Sequence, residues 1–130
     1  MHETHLKGLI GELEFSLKLI KEGWSVLKPL NQNSRYDIVL EKAGKFRRVQ
    51  IKYCTPENGR LRVELDRPKR KTEPYSQKDT DFLGVYNSRD QKFYLIPIRE
   101  FYKQKEVWLR VDKPRNNQNK RIRLAESFIV

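Results

Sequence analysis

Gln50-Ile51-Lys52, with Asp37 thirteen positions before it, is the part of this chain whose residue types suit chemistry. In a strand, Gln50 and Lys52 share one face of the sheet and Ile51 takes the other. Asp37 falls in a run that reads as the neighbouring strand, so a carboxylate, a carboxamide oxygen and an ammonium are expected at one spot. Such a set suits a site that holds a divalent cation and cuts a phosphodiester. Magnesium prefers hard oxygen ligands and keeps several waters, so few protein ligands suffice. The cation would polarise the phosphate and acidify a bound water. Lys52 would orient that water or neutralise the charge of the transition state.

The elements that must position these groups follow from periodicity. A helix is expected from about Thr4 to Glu22, with Thr4 as N-cap and Gly23 as the stop. Lys7, Glu14, Lys18, Lys21 and Glu22 share a polar arc, opposite Leu9, Ile10, Leu13, Phe15, Leu17, Leu19 and Ile20. Glu12 falls inside the apolar arc. A carboxylate there costs several kcal/mol unless it is paired, hydrogen-bonded or bound to metal. It therefore reads either as a further metal ligand or as half of an ion pair with a lysine or arginine.

Trp24 to Leu27 reads as a short strand or extended link. Arg35 to Glu41 and Phe46 to Cys54 read as strands joined by a hairpin turn at Lys42-Ala43-Gly44-Lys45. Leu61 to Leu65 alternates as a third strand with one wet face, completing a three-strand meander. Two further strands, Asp81 to Tyr86 and Lys92 to Ile98, form a pair. A helical turn over Arg99 to Lys103 and an edge strand at Val107 to Val111 follow. Leu124 to Val130 is a short apolar segment suited to docking on a partner. Early strands joined by tight turns exclude a βαβ repeat and predict an α/β fold with a mixed sheet.

The chain has 130 residues, enough for one domain. Its net charge of +11 points to a polyanionic partner, nucleic acid before membrane, because no stretch joins a basic face to a long lipid-facing one. No apolar run reaches transmembrane length. The single Cys54 excludes an internal disulfide and fits a cytoplasmic setting, as does the absence of a signal-peptide pattern after Met1. His2-Glu3-Thr4-His5 lacks the spacing of a helical zinc motif and reads as a solvated terminus.

The Asp37, Gln50 and Lys52 pattern resembles the PD-(D/E)XK nuclease superfamily, with its restriction-endonuclease-like core. Gly8-Leu9-Ile10-Gly11-Glu12 resembles the helix that carries an extra metal-binding glutamate in that superfamily, archaeal Holliday junction resolvases included. Tyr36 stands where the motif has proline and Gln50 where it has Asp or Glu. The group I intron homing endonuclease of this fold is similar in carrying Gln-x-Lys. Asp79 to Tyr86, Tyr94 to Pro97, Lys113 to Gln118 and Ala125-Glu126 resemble later segments of that subgroup.

The resemblance implies a single nuclease domain over 1–130, hydrolysing duplex DNA with magnesium, or manganese as substitute, as a homodimer or homotetramer. Glu12, Asp37 and Gln50 would be metal ligands and, with Lys52, the catalytic set. DNA contacts are expected from Arg35, from Lys69, Arg70 and Lys71, and from Arg115, Asn116, Asn117, Gln118, Lys120 and Arg121 in a basic segment spanning 112–130, which suits DNA contact or oligomerisation. A junction resolvase and a non-catalytic basic DNA-binding module are the rival readings.

Overall fold

The computed structural model describes residues 3–31, 34–65, 76–101, 104–112 and 123–130. The N-terminal helix α1 spans Glu3–Lys21, with Glu3 in its first turn and Lys18 and Lys21 in its last, each matched to the helix dipole. It stops in a glycine cap: Gly23 takes φ 93°, its N–H donates to Ile20 O at 3.0 Å, and Trp24 N–H donates to Leu19 O at 3.0 Å. The strands are β1 (Ser25–Leu27), β2 (Ile38–Lys42), β3 (Lys45–Cys54), β4 (Arg60–Glu64), β5 (Phe82–Asn87), β6 (Lys92–Pro97), β7 (Glu106–Arg110) and β8 (Arg123–Leu124). Short 3-10 turns cover Ile98–Phe101 and Ala125–Phe128. At the β2–β3 turn Ala43 and Gly44 both have positive φ, 54° and 78°, which matches the right-handed twist of the two strands.

Five strands form one sheet in the order β1-β2-β3-β5-β6, and β4, β7 and β8 form a second. The mixed sheet is thus a three-strand meander plus a strand pair, with β3 and β5 parallel at its centre. Two expectations are corrected. The strand expected at Leu61 to Leu65 leaves the meander and pairs with β7, while β1 completes the meander instead. The strand expected at Val107 to Val111 is not an edge, because β4 and β8 flank it. Composition accounts for both outcomes. Leu83, Gly84, Val85 and Tyr86 on β5 are all buried, as a strand covered on both faces requires. β4 and β7 alternate buried with exposed or half-buried residues, as a half-wet sheet requires.

Two cores result. Leu61, Val63, Leu83, Val85, Ile96 and Leu109 fill the one joining the two sheets. Phe15, Leu19, Ile38, Leu40, Val49 and Ile51 fill the one under the helix. Gly11, Phe15 and Leu19 are the residues that α1 buries. Gly84 makes this approach possible: a Cβ there would lie 2.9 Å from Val49 Cγ1 and 3.1 Å from Phe15 Cζ. The apolar arc expected to face the sheet is therefore split, and Leu9, Ile10, Leu13, Leu17 and Ile20 lie exposed.

The terminal apolar segment, expected to suit docking on a partner, makes contacts within its own chain. Val130 N–H donates to Phe93 O at 2.9 Å, Ile129 bridges to Tyr94, and Ala125 is buried. The DNA contacts expected from Lys69, Arg70 and Lys71 and from the polar run 115–121 lie outside the described residues. Among the described residues no helix is long and apolar enough to cross a membrane.

Candidate active site

The β2–β3 hairpin carries most of the site. Its register ends with Ile38 paired to Val49, which leaves Asp37 just beyond β2, beside the β3 residues Val49 and Ile51. Asp37 N–H donates to Val49 O at 2.9 Å, which holds this end of the pairing although the strand proper begins one residue later. The strand expected from Arg35 is shorter for this reason. Residues 35–37 bend, and the bend turns the Asp37 carboxylate back so that Oδ2 accepts the Ile51 N–H at 2.7 Å.

Gln50 and Lys52 pair with Leu83 and Val85 on β5 and are half-buried, while Ile51 between them is sealed into the core under the helix. The alternation expected for this stretch holds. Glu12, on α1 one turn before Phe15, is 19% exposed in its side chain and ion-pairs with Lys28 just beyond β1. The ion-pair alternative for Glu12 is thus realised, with an exposed lysine as partner.

Electrostatics link these groups. The Asp37 carboxyl is pushed above its ordinary range, first by burial and then by the charge of Glu12. The Ile51 N–H, Lys52 and Lys28 pull the other way. Glu12, Asp37 and Lys52 therefore feel one another across α1, the bend and β3. Two half-buried carboxylates whose charges repel each other form a place where a cation is favourable. The donor types suit a hard divalent ion: the carboxylates of Glu12 and Asp37, with the Gln50 amide on the strand whose next residue, Ile51, binds Asp37. Among the described residues no group of three His, Cys, Asp or Glu side chains is placed to hold a metal, so the amide would have to supply the third protein oxygen.

A groove of about 390 Å³ opens beside Lys52, lined also by Cys54, Arg60, Arg62 and Trp108. The Arg60 guanidinium stacks on the Trp108 ring at 4.6 Å, and Arg62 is held between Glu64 and Glu106 at 2.6 and 2.7 Å. Sequence reading missed Lys28, Arg60 and Trp108. The alternating wet faces of 60–64 and 106–110 were visible, but not that the two strands pair. Cys54 lines the groove, and burial pushes its thiol up to about 11, which disfavours the thiolate. Arg35, expected at phosphate, ion-pairs with the buried Asp79 at 3.1 Å.

Comparison with known proteins agrees with this geometry. The chain superposes on a bacterial homing endonuclease, I-Ssp6803I, with a TM-score of 0.75 and 26% identity, covering 98% of this chain and 89% of that one. Protein 5.3 of Escherichia phage T7 is 40% identical over 55 residues, 42% of this chain and 47% of the phage protein. The matched region thus spans about half the length of that curated relative. The family model described as PD-(D/E)XK endonuclease matches residues 2–130, the whole span from the helix bearing Glu12 to the docked C-terminus. With the motif residues gathered at one end of the β2–β3 hairpin, this chain belongs to the PD-(D/E)XK endonuclease family.

Proposed function

We propose that the protein is a magnesium-dependent endonuclease, with manganese as a workable substitute, that hydrolyses phosphodiester bonds in duplex DNA in the manner of homing endonucleases. In this reading it works in the cytoplasm as a homodimer or homotetramer. One observation supports it: Asp37 accepts the N–H of Ile51, the residue between Gln50 and Lys52, and the charges of Glu12 and Lys52 both reach it. The net charge of +11 supports a nucleic acid as the substrate. Glu12, Asp37 and the Gln50 amide oxygen would hold the cation, which when bound supplies Lewis-acid polarisation of the phosphate and a more acidic water.

The chain's own residues do the rest. Asp37, fixed by its backbone hydrogen bond, presents its remaining oxygen without a rotamer search. Lys52, rooted in the central strand, brings positive charge to the phosphate as negative charge builds on its oxygens. Gln50 in place of an acid removes one negative charge from the site and so eases the approach of the phosphate. Lys28 is exposed enough to swing away from Glu12.

The test is cleavage of supercoiled plasmid, linear duplex and a four-way junction, with magnesium, with manganese and with chelator. Metal-dependent cutting of duplex is expected. Cutting of the junction alone would replace this reading with a structure-selective resolvase. No cutting of any substrate would leave a binding module. Gln50→Ala is expected to raise the magnesium concentration for half-maximal cleavage by about tenfold or more, as loss of a ligand should; unchanged dependence would remove Gln50 from the ligand set.

Lys28→Ala should shift that concentration the other way. Its ion pair with Glu12 competes with the cation, and a largely exposed lysine contributes about 0.2–1 kcal/mol, so a shift of about fivefold at most is expected. A fall in maximal rate instead would place Lys28 among the groups acting on the phosphate.

A further inference from the structure

Helix α1 has a second apolar face that the fold does not use. Away from Gly11, Phe15 and Leu19, the side chains of Leu6, Ile10, Leu13, Leu17 and Ile20 are 37–61% exposed. Their spacing is four, three, four and three residues, the repeat of a coiled-coil seam rather than of a helix lying on a sheet. Leu9, also exposed, widens the stripe. A row of large apolar side chains on one helix face is more than the scattered exposure a monomer normally shows.

We infer that this seam pairs with the same seam of a second copy of the chain, antiparallel, about a two-fold axis. The charges beside the seam select that arrangement. Lys7, Glu14 and Lys21 flank it on one side, Leu9 and Ser16 on the other. With Leu6 packed against Leu17 of the second copy and Ile10 against its Leu13, Lys7 of each copy faces Glu14 of the other, twice by symmetry. In a parallel pair the flanking contacts would be Glu14 with Leu9 and Lys21 with Ser16, and no opposite charges would meet.

Glu12 lies about a third of a turn round the helix from the seam, so pairing leaves it uncovered. The stripe exposes on the order of 500 Å² per copy, against the roughly 800 Å² per partner of a standard stable interface. A dimer that forms and dissociates with concentration is the consequence.

The inference rests on the oligomeric reading above and not on the cleavage chemistry. Sedimentation velocity on the full chain, without DNA or metal, tests it separately. The expected result is a concentration-dependent monomer–dimer equilibrium that Leu13→Glu weakens at least tenfold, with circular dichroism unchanged because Leu13 is exposed. Lys7→Glu should weaken it several-fold, and the double exchange Lys7→Glu with Glu14→Lys should restore it. A protein monomeric throughout, a Leu13→Glu variant that still dimerises like the parent, or an exchange that fails to restore pairing would each overturn the inference.

Discussion

Asp37→Asn is expected to lower cleavage by more than about 100-fold and, in the same protein, to raise the midpoint of thermal unfolding at pH 7 in the presence of chelator. The first effect follows from the proposed role: losing a ligand should exceed the 10- to 100-fold typical of losing a group that merely supports one. The second follows from the carboxyl's position. Burial, and after it the charge of Glu12, raise the Asp37 pKa above its ordinary value of 3.8, against the Ile51 N–H, Lys52 and Lys28. The folded chain therefore binds the proton more tightly than the unfolded chain does. The contribution of this one group to stability is fully present below pH 3.8, where it is protonated in both states, and is lost as pH rises through the folded-state pKa. At pH 7 the ionised carboxylate weakens the fold. Asparagine keeps an oxygen to accept the Ile51 N–H and carries no charge.

The thermal advantage of Asp37→Asn should accordingly shrink on acidification and vanish below pH 3.8. Differential scanning calorimetry between pH 3 and 8, alongside the plasmid assay, measures both halves. A variant less stable than its parent at pH 7 would mean that the hydrogen bond of the carboxylate outweighs its charge strain. A variant that cleaves at the parent's rate would move the active site elsewhere.

Phe15→Ala should have the largest effect on stability, about 3–5 kcal/mol in urea unfolding. Phe15 is fully buried, stands edge-on to Phe93 with ring centres 5.4 Å apart, and rests on Gly84. Few other side chains hold α1 to the sheet, so the vacancy cannot be filled by a neighbouring turn. That loss is a large share of the 5–15 kcal/mol typical of a domain. Cleavage should fall further than the unfolded fraction explains, because Glu12 sits one turn away and loses the position from which its charge reaches Asp37. Phe15→Leu keeps most of the volume and should cost less than half as much. A loss under 1 kcal/mol for Phe15→Ala would show that the helix is held by something other than this contact.

Local pattern carried much of this structure. The helix stop at Gly23, the β2–β3 hairpin with its Ala43-Gly44 turn, and the alternation of Gln50, Ile51 and Lys52 depend on residues close in the chain, and all were legible. Thr4, expected as the N-cap, lies inside α1, which already includes Glu3. Pairings between distant segments were not. Nothing within Leu61 to Leu65 says that its partner is β7 rather than β3; that depends on β5 being apolar enough to take the central place. Periodicity showed that α1 is broadly apolar, but not that only its narrow Gly11, Phe15 and Leu19 edge meets the sheet. Lys28 went unnoticed for a similar reason, since an isolated exposed lysine acquires meaning only when Glu12 arrives beside it. The apolar character of the C-terminus was legible, but its contact with Phe93 and Tyr94, distant in the chain, was not.

The parallel pairing of β3 with β5 has a consequence for how the chain reaches this state. Val49 meets Phe82 only after the intervening segment has looped out and returned, whereas the β2–β3 hairpin closes over a two-residue turn. Hairpins form within microseconds, and long-range parallel pairing is slow. Asp37 and Gln50 should thus come together early, on a hairpin whose other edge, at β3, waits unpaired with Val49 and Ile51 uncovered. Until β5 arrives, that edge can accept a strand from another unfinished chain. Expression at high temperature or high rate is where aggregation of the newborn protein should begin.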